Sequence, residues 1–76
     1  PEGIASYRVY LGSNEIHASL VSLVYELSDK DIIRVVTGTG ADFFIGPFAS
    51  VSQAEDLART LREKGFDMVS VQEVTN

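Results

Sequence analysis

Between Tyr7 and Leu11 the side chains alternate so that Tyr7, Val9 and Leu11 share one face and Arg8 and Tyr10 the other, which predicts a half-buried strand. The period then changes. Ile16, Leu20, Leu23, Val24 and Leu27 recur at helical spacing and form one apolar stripe, with Ser13 or Asn14 placed to cap that helix. Ser28 to Asp31 make a polar turn, Ile32 to Thr37 is a β-branched run that predicts a second strand, and Gly38, Thr39 and Gly40 mark a hairpin into a third strand around Phe43. Ser50 and Gln53 have the spacing of a capping box before a helix with Ala54, Leu57, Ala58 and Leu61 on one side. Its outer face carries Glu55, Arg59 and Glu63 four apart, a spacing that predicts ion pairs. Lys64 and Gly65 close this helix, and Phe66 to Val74 predicts the last strand.

The two halves of this pattern are copies of each other. At an offset of about 34 residues, Gly12 falls on Gly46, Leu23 on Leu57, Leu27 on Leu61, Lys30 on Lys64 and Val35 on Val69. A βαβ unit repeated in this way predicts the order β-α-β-β-α-β and an α+β, ferredoxin-like fold: a four-stranded antiparallel sheet with two helices on one face. The alternation then assigns the faces. Val9, Leu11, Val35, Phe43, Ile45, Val69 and Val71 are expected to point to the helices. Arg8, Tyr10, Arg34, Val36, Asp42, Phe44, Met68, Ser70 and Gln72 are expected on the uncovered face, with Tyr10 and Phe44 at its centre.

Composition narrows the class. A chain of 76 residues, 45% of them apolar, supports one small domain, with residues 1–5 expected to be a linker remnant and 6–76 the folded unit. Its net charge of −5 disfavours a nucleic-acid partner, and no apolar run approaches the length of a membrane span. With no cysteine there is no disulfide framework or thiolate metal site. The start at Pro1 carries the expectation of a piece cut from a larger protein, so that a membrane anchor would lie outside it.

The stretches Tyr7-Arg-Val-Tyr-Leu-Gly-Ser13 and Phe43-Phe-Ile-Gly-Pro-Phe-Ala-Ser50 resemble a SPOR domain, the sporulation-related repeat of bacterial cell-envelope proteins. The second stretch carries more of the likeness, because Ser50, Ala54, Leu57, Leu61 and Gly65 follow it at the spacing of that family. The resemblance implies a non-catalytic module that binds peptide-free peptidoglycan glycan strands on the open sheet face, in the periplasm or cell envelope, often at division sites. It departs from the family where Tyr10 replaces a usual glutamine, where Asp42 and Phe44 replace frequent arginines, and where Asn14 replaces a phenylalanine. A domain of the same fold that has lost glycan binding and works in protein assembly, with other envelope or division proteins as partners, is the alternative.

The candidate ligand residues are Arg8, Tyr10, Arg34, Phe44, Ser70 and Gln72: rings to stack on sugars, with polar groups and cations for hydroxyls and carboxylates. Without the family likeness, Tyr10 and Phe44 equally suit a cross-strand packing pair. Reading of single-stranded RNA by the same face is disfavoured by the charge and by Gly40, Ala41 and Asp42, where a basic residue would open the third strand. Val21 and Tyr25 lie off the stripe of the first helix and form a candidate protein-contact pair. His17 has no second ligand for a metal, Asp29 and Asp31 lack the rest of a calcium loop, and Gly38 and Gly40 are explained by the hairpin. No nucleophile and base, and no carboxylate pair in unlike settings, suggest an enzyme, and no cofactor is expected.

Overall fold

The computed structural model describes residues 5–75. Its elements are β1 (Ala5–Ser13), α1 (Ala18–Leu27), β2 (Asp31–Thr37), β3 (Gly40–Phe48), α2 (Val51–Glu63) and β4 (Ser70–Thr75). The strands form one antiparallel sheet in the order β2-β3-β1-β4, the ferredoxin-like α+β arrangement expected from the doubled unit. Of the expected linker remnant, residues 1–4 lie outside the described residues, and Ala5 instead opens β1 opposite Thr75.

The core lies between the sheet and the helices. Val9, Leu11, Ile45, Phe48 and Val69 from the sheet side meet Leu20 and Val24 of α1 and Ala54, Leu57, Ala58 and Leu61 of α2. Because these are aliphatic or aromatic and almost fully enclosed, their removal from water is the main force holding the two layers together. The Ser50 hydroxyl caps α2 by accepting from Gln53 N–H at 3.2 Å. At the other end Gly65 takes φ +103°, and the N–H groups of Gly65 and Phe66 donate to the carbonyls of Arg62 and Leu61 at 3.0 and 3.1 Å. Those two bonds are a Schellman closure, which needs a left-handed residue and so uses glycine.

Helix α1 differs from its expected form. It begins later, with His17 as its cap, whose Nδ1 accepts from Ser19 N–H at 3.2 Å. Ser13 and Asn14 are diverted to the sheet. Asn14 adopts φ +69°, its N–H donates to the Ala41 carbonyl at 2.5 Å, and its Oδ1 accepts from Ala41 N–H at 3.4 Å. Asparagine tolerates this left-handed conformation, and its side chain satisfies backbone that a helix cap would have left open. With α1 shortened to ten residues, Leu27 ends at the C-terminal edge of the helix with 42% of its surface exposed, whereas its repeat mate Leu61 is fully buried. On α2, Arg59 pairs with Asp56, three residues before it, at 2.8 Å, rather than with the expected Glu55 or Glu63.

The repeat also fails in β2. Paired residues of an antiparallel sheet share a face, and here Ile32 is opposite Ile45, Arg34 opposite Phe43 and Val35 opposite Asp42. Ile45 and Phe43 pack toward the helices, so Ile32, Arg34 and Val36 lie on that side while Ile33 and Val35 lie on the uncovered face. Val35 is thus inverted relative to Val69, which is buried in the core. The physical cause is the connection lengths: three residues join α1 to β2, and six join α2 to β4. An odd difference between them turns one strand over relative to the other.

Candidate functional site

The sheet face opposite the helices carries Arg8 and Tyr10 from β1, Asp42 and Phe44 from β3, Ile33 and Val35 from β2, and Ser70 and Gln72 from β4. Five of the six expected ligand residues are brought together here. Arg34 is not, because the inversion of β2 puts it on the helix side.

Phe44 is the centre of this surface, yet its ring is only 3% exposed. The Arg8 guanidinium lies flat over it, with Cζ 3.7 Å from the ring centroid, a cation–π contact. Arg8 and Tyr10 are two apart on one strand, and Tyr10 is paired with Phe44, so Arg8 is a diagonal neighbour with a side chain long enough to reach across. Phe44 therefore does not offer a bare ring for stacking, as the alternation alone suggests; it supports a guanidinium plane. Arg8 Nε donates to Gln72 Oε1 at 3.2 Å, which fixes the plane from a second side. Of the five N–H donors of a guanidinium, this bond uses one.

Tyr10 is half-buried, with its ring centroid 5.7 Å from that of Phe44 and the planes tilted by 59°. Its hydroxyl lies 2.5 Å from Ser13 Oγ, and Ser13 Oγ donates to Asp42 Oδ1 at 2.7 Å. Since an ionised carboxylate only accepts, Ser13 must donate to Asp42, and Tyr10 in turn donates to Ser13. The β1 bulge between Tyr10 and Gly12 makes this chain of bonds possible by bringing Ser13 opposite Asp42 on the same face. Neither Ser13 nor Asp42 stands out in the sequence as a site residue, because the bulge that aligns them leaves no alternation signal.

Next to Tyr10 the surface dips into a groove of about 380 Å³ lined by Tyr10, Ile16, His17, Leu20, Phe66 and Met68 among others. A second groove, of about 310 Å³, runs between the helices past Leu27, Phe48 and Leu57. Tyr25 is 53% exposed, as expected of a contact residue, but Val21 beside it is half-buried rather than open. Among the described residues no three His, Cys, Asp or Glu side chains gather to hold a metal.

Chemically, the face combines a stacked cation, a fixed tyrosine, a carboxylate, an amide and two aliphatic side chains on a nearly flat surface. Such a mixture offers donors and acceptors to hydroxyls, a charge partner for carboxylates, and apolar area for the faces of rings. No family model, no curated protein and no solved structure matches this chain.

Proposed function

We propose that the chain is a non-catalytic binding module that holds polysaccharide on the uncovered sheet face, in the manner of the SPOR domains that its two strand-glycine stretches resemble, with peptide-free peptidoglycan glycan as the ligand class. The observation that supports this reading most is the Arg8 guanidinium held over Phe44, which turns a cross-strand aromatic pair into a donor surface. A flat, charged, hydrogen-bonding plate suits a carboxylate-bearing sugar better than a bare ring does, because the carboxylate gains a cation whose geometry matches it. Gln72 and Ser70 extend the polar contacts toward β4, and Ile33 and Val35 supply apolar area toward β2. On this reading the glutamine and arginines missing from the family's usual positions are replaced in kind by Gln72 and Arg8. The module would act in the cell envelope, where this glycan is found.

Co-sedimentation with purified, peptide-stripped cell-wall sacculi tests it. The wild-type chain should pellet, Arg8→Ala should pellet much less, and Arg34→Ala, on the other side of the sheet, should pellet like the wild type. A wild-type chain that stays in the supernatant would remove glycan from consideration.

A further inference from the structure

The strands carry Arg8, Asp31, Arg34, Asp42 and Glu73, and the register divides them between the two faces of the sheet. Arg34 and Glu73 lie on the helix side, opposite Phe43 and Tyr7. Arg8 and Asp42 lie on the uncovered face, and Asp31 joins them there because it alternates with Ile33 and Val35 along β2. Asp31 is paired with Gly46, and a Cβ added to Gly46 would meet the Arg8 Cβ at 3.3 Å, so Gly46 turns toward Arg8 on that same face. No side chain stands there between Arg8 and Asp31.

The three charges follow a simple order along β3. The Arg8 guanidinium rests over Phe44, Asp42 is two residues from Phe44 in one direction, and Gly46, the partner of Asp31, is two residues away in the other. Two residues of strand span roughly 7 Å. The Asp42 carboxylate is held in place, since Ser13 Oγ donates to its Oδ1 at 2.7 Å and the Tyr10 hydroxyl bonds Ser13 Oγ at 2.5 Å. Asp31 is exposed at the other end of the line. A cation is thus set between two carboxylates on one nearly flat surface.

We infer that Asp31 and Asp42 are specificity-determining residues, which make this face select a polysaccharide bearing a carboxylate on one sugar and none on the sugars to either side. The inference rests on the glycan reading of the face and names the charge pattern that the glycan must have. Like charges brought together across an interface exclude wrong partners more effectively than an added attraction selects right ones. A polymer with a carboxylate on every sugar would place one on Arg8 and its neighbours against Asp31 and Asp42. It should be rejected.

A neutral polymer fails for the opposite reason, because it leaves the Arg8 guanidinium without the carboxylate that its fork of donors matches. Peptide-free peptidoglycan glycan satisfies both ends of the test. Its lactyl-bearing sugar carries a carboxylate, and the sugar that alternates with it is neutral and offers hydroxyl and acetamido N–H donors to Asp31 and Asp42, which only accept. Long-range attraction does not override this choice, since one positive and two negative charges on the face draw in no polyanion.

Calorimetric titration of the wild-type chain with peptide-free peptidoglycan glycan fragments, chitin oligosaccharides and oligogalacturonate tests the inference. The alternating glycan should bind more tightly than either of the others. In the double variant Asp31→Asn with Asp42→Asn, which keeps the side-chain shapes and an acceptor for Ser13, affinity for oligogalacturonate relative to the alternating glycan should rise by roughly fivefold per acid removed, the factor that two unit charges about 4 Å apart produce in water. Glu55→Gln with Glu63→Gln changes the net charge equally on the exposed outer face of α2 and should leave that ratio unchanged. A wild-type chain that binds none of the three removes the glycan reading and this inference with it. A wild-type chain that binds oligogalacturonate as tightly as the alternating glycan, a ratio unmoved in the Asp31 and Asp42 variant, or an equal change in the α2 control would overturn the charge pattern alone and leave glycan binding standing.

Discussion

The Arg8 guanidinium carbon sits 3.7 Å over the centre of the Phe44 ring, on the side of the sheet that no helix covers. This contact gives a large aromatic ring a buried environment without a second layer of structure, and it leaves a cation where a binding surface would use one. Replacing Arg8 with Ala should lower stability by about 0.5–2 kcal/mol, through the lost cation–π contact and the exposure of apolar ring surface. Urea denaturation measures this, and Arg8→Lys should lie between the two because an ammonium is not planar.

Tyr10 and Phe44 should separate in their effects. Phe44→Ala removes a nearly enclosed ring and should cost about 3–5 kcal/mol, while Tyr10→Phe removes only the donor to Ser13 and should cost about 0.5–1.5 kcal/mol. Thermal and urea unfolding of both variants check the order. Equal losses would mean that the hydroxyl chain from Tyr10 through Ser13 to Asp42 carries as much stability as the ring.

The α1 stripe and the α2 stripe should not respond alike. Leu61→Ala should destabilise by about 2–5 kcal/mol, because that side chain is fully enclosed, and Leu27→Ala by less than about 1.5 kcal/mol, because nearly half of it already meets water. Sequence symmetry alone predicts equal effects, so the difference measures how far the first copy has departed from the second.

Gly65 has no heavy atom within 4 Å of where a Cβ would sit, so Gly65→Ala tests backbone strain alone. The φ of +103° should make this change cost about 1–2 kcal/mol. Gly40→Ala adds a steric term, because its Cβ would meet Asn14 Oδ1 at 1.8 Å, and it should therefore be the more damaging of the two in the same unfolding assay.

The fold was legible in the sequence because its signals are local and redundant. Ser50 with Gln53, the α2 stripe and Gly65 each specify the same helix, and the internal repeat supports the same topology. The face assignment of β1, β3 and β4 was legible for the same reason: Val9, Ile45 and Val71 alternate cleanly with Arg8, Phe44 and Gln72. β2 was not legible, since Ile32, Ile33, Val35 and Val36 are apolar on both faces and the strand has no alternation to fix its phase. Only the length of the turn through Ser28, Asp29 and Lys30 decides that Ile32 faces the core and Arg34 lies on the helix side. The late start of α1 was hidden because Asn14 bonds to the sheet rather than capping the helix, a choice set by Ala41, 27 residues away. The covering of Phe44 by Arg8 depends on a diagonal between strands, which no single stretch of sequence records.

Backbone and side-chain NMR during titration with peptide-free glycan strands reports on the proposed glycan surface formed by Arg8, Tyr10, Ser70 and Gln72. Binding there should give saturable shifts of the Arg8 Nε–H, the Gln72 side-chain amide, and the amides of Ile33, Tyr10 and Ser70, with little change along α2. Shifts confined to the helices, or none at all on the sheet, would contradict it.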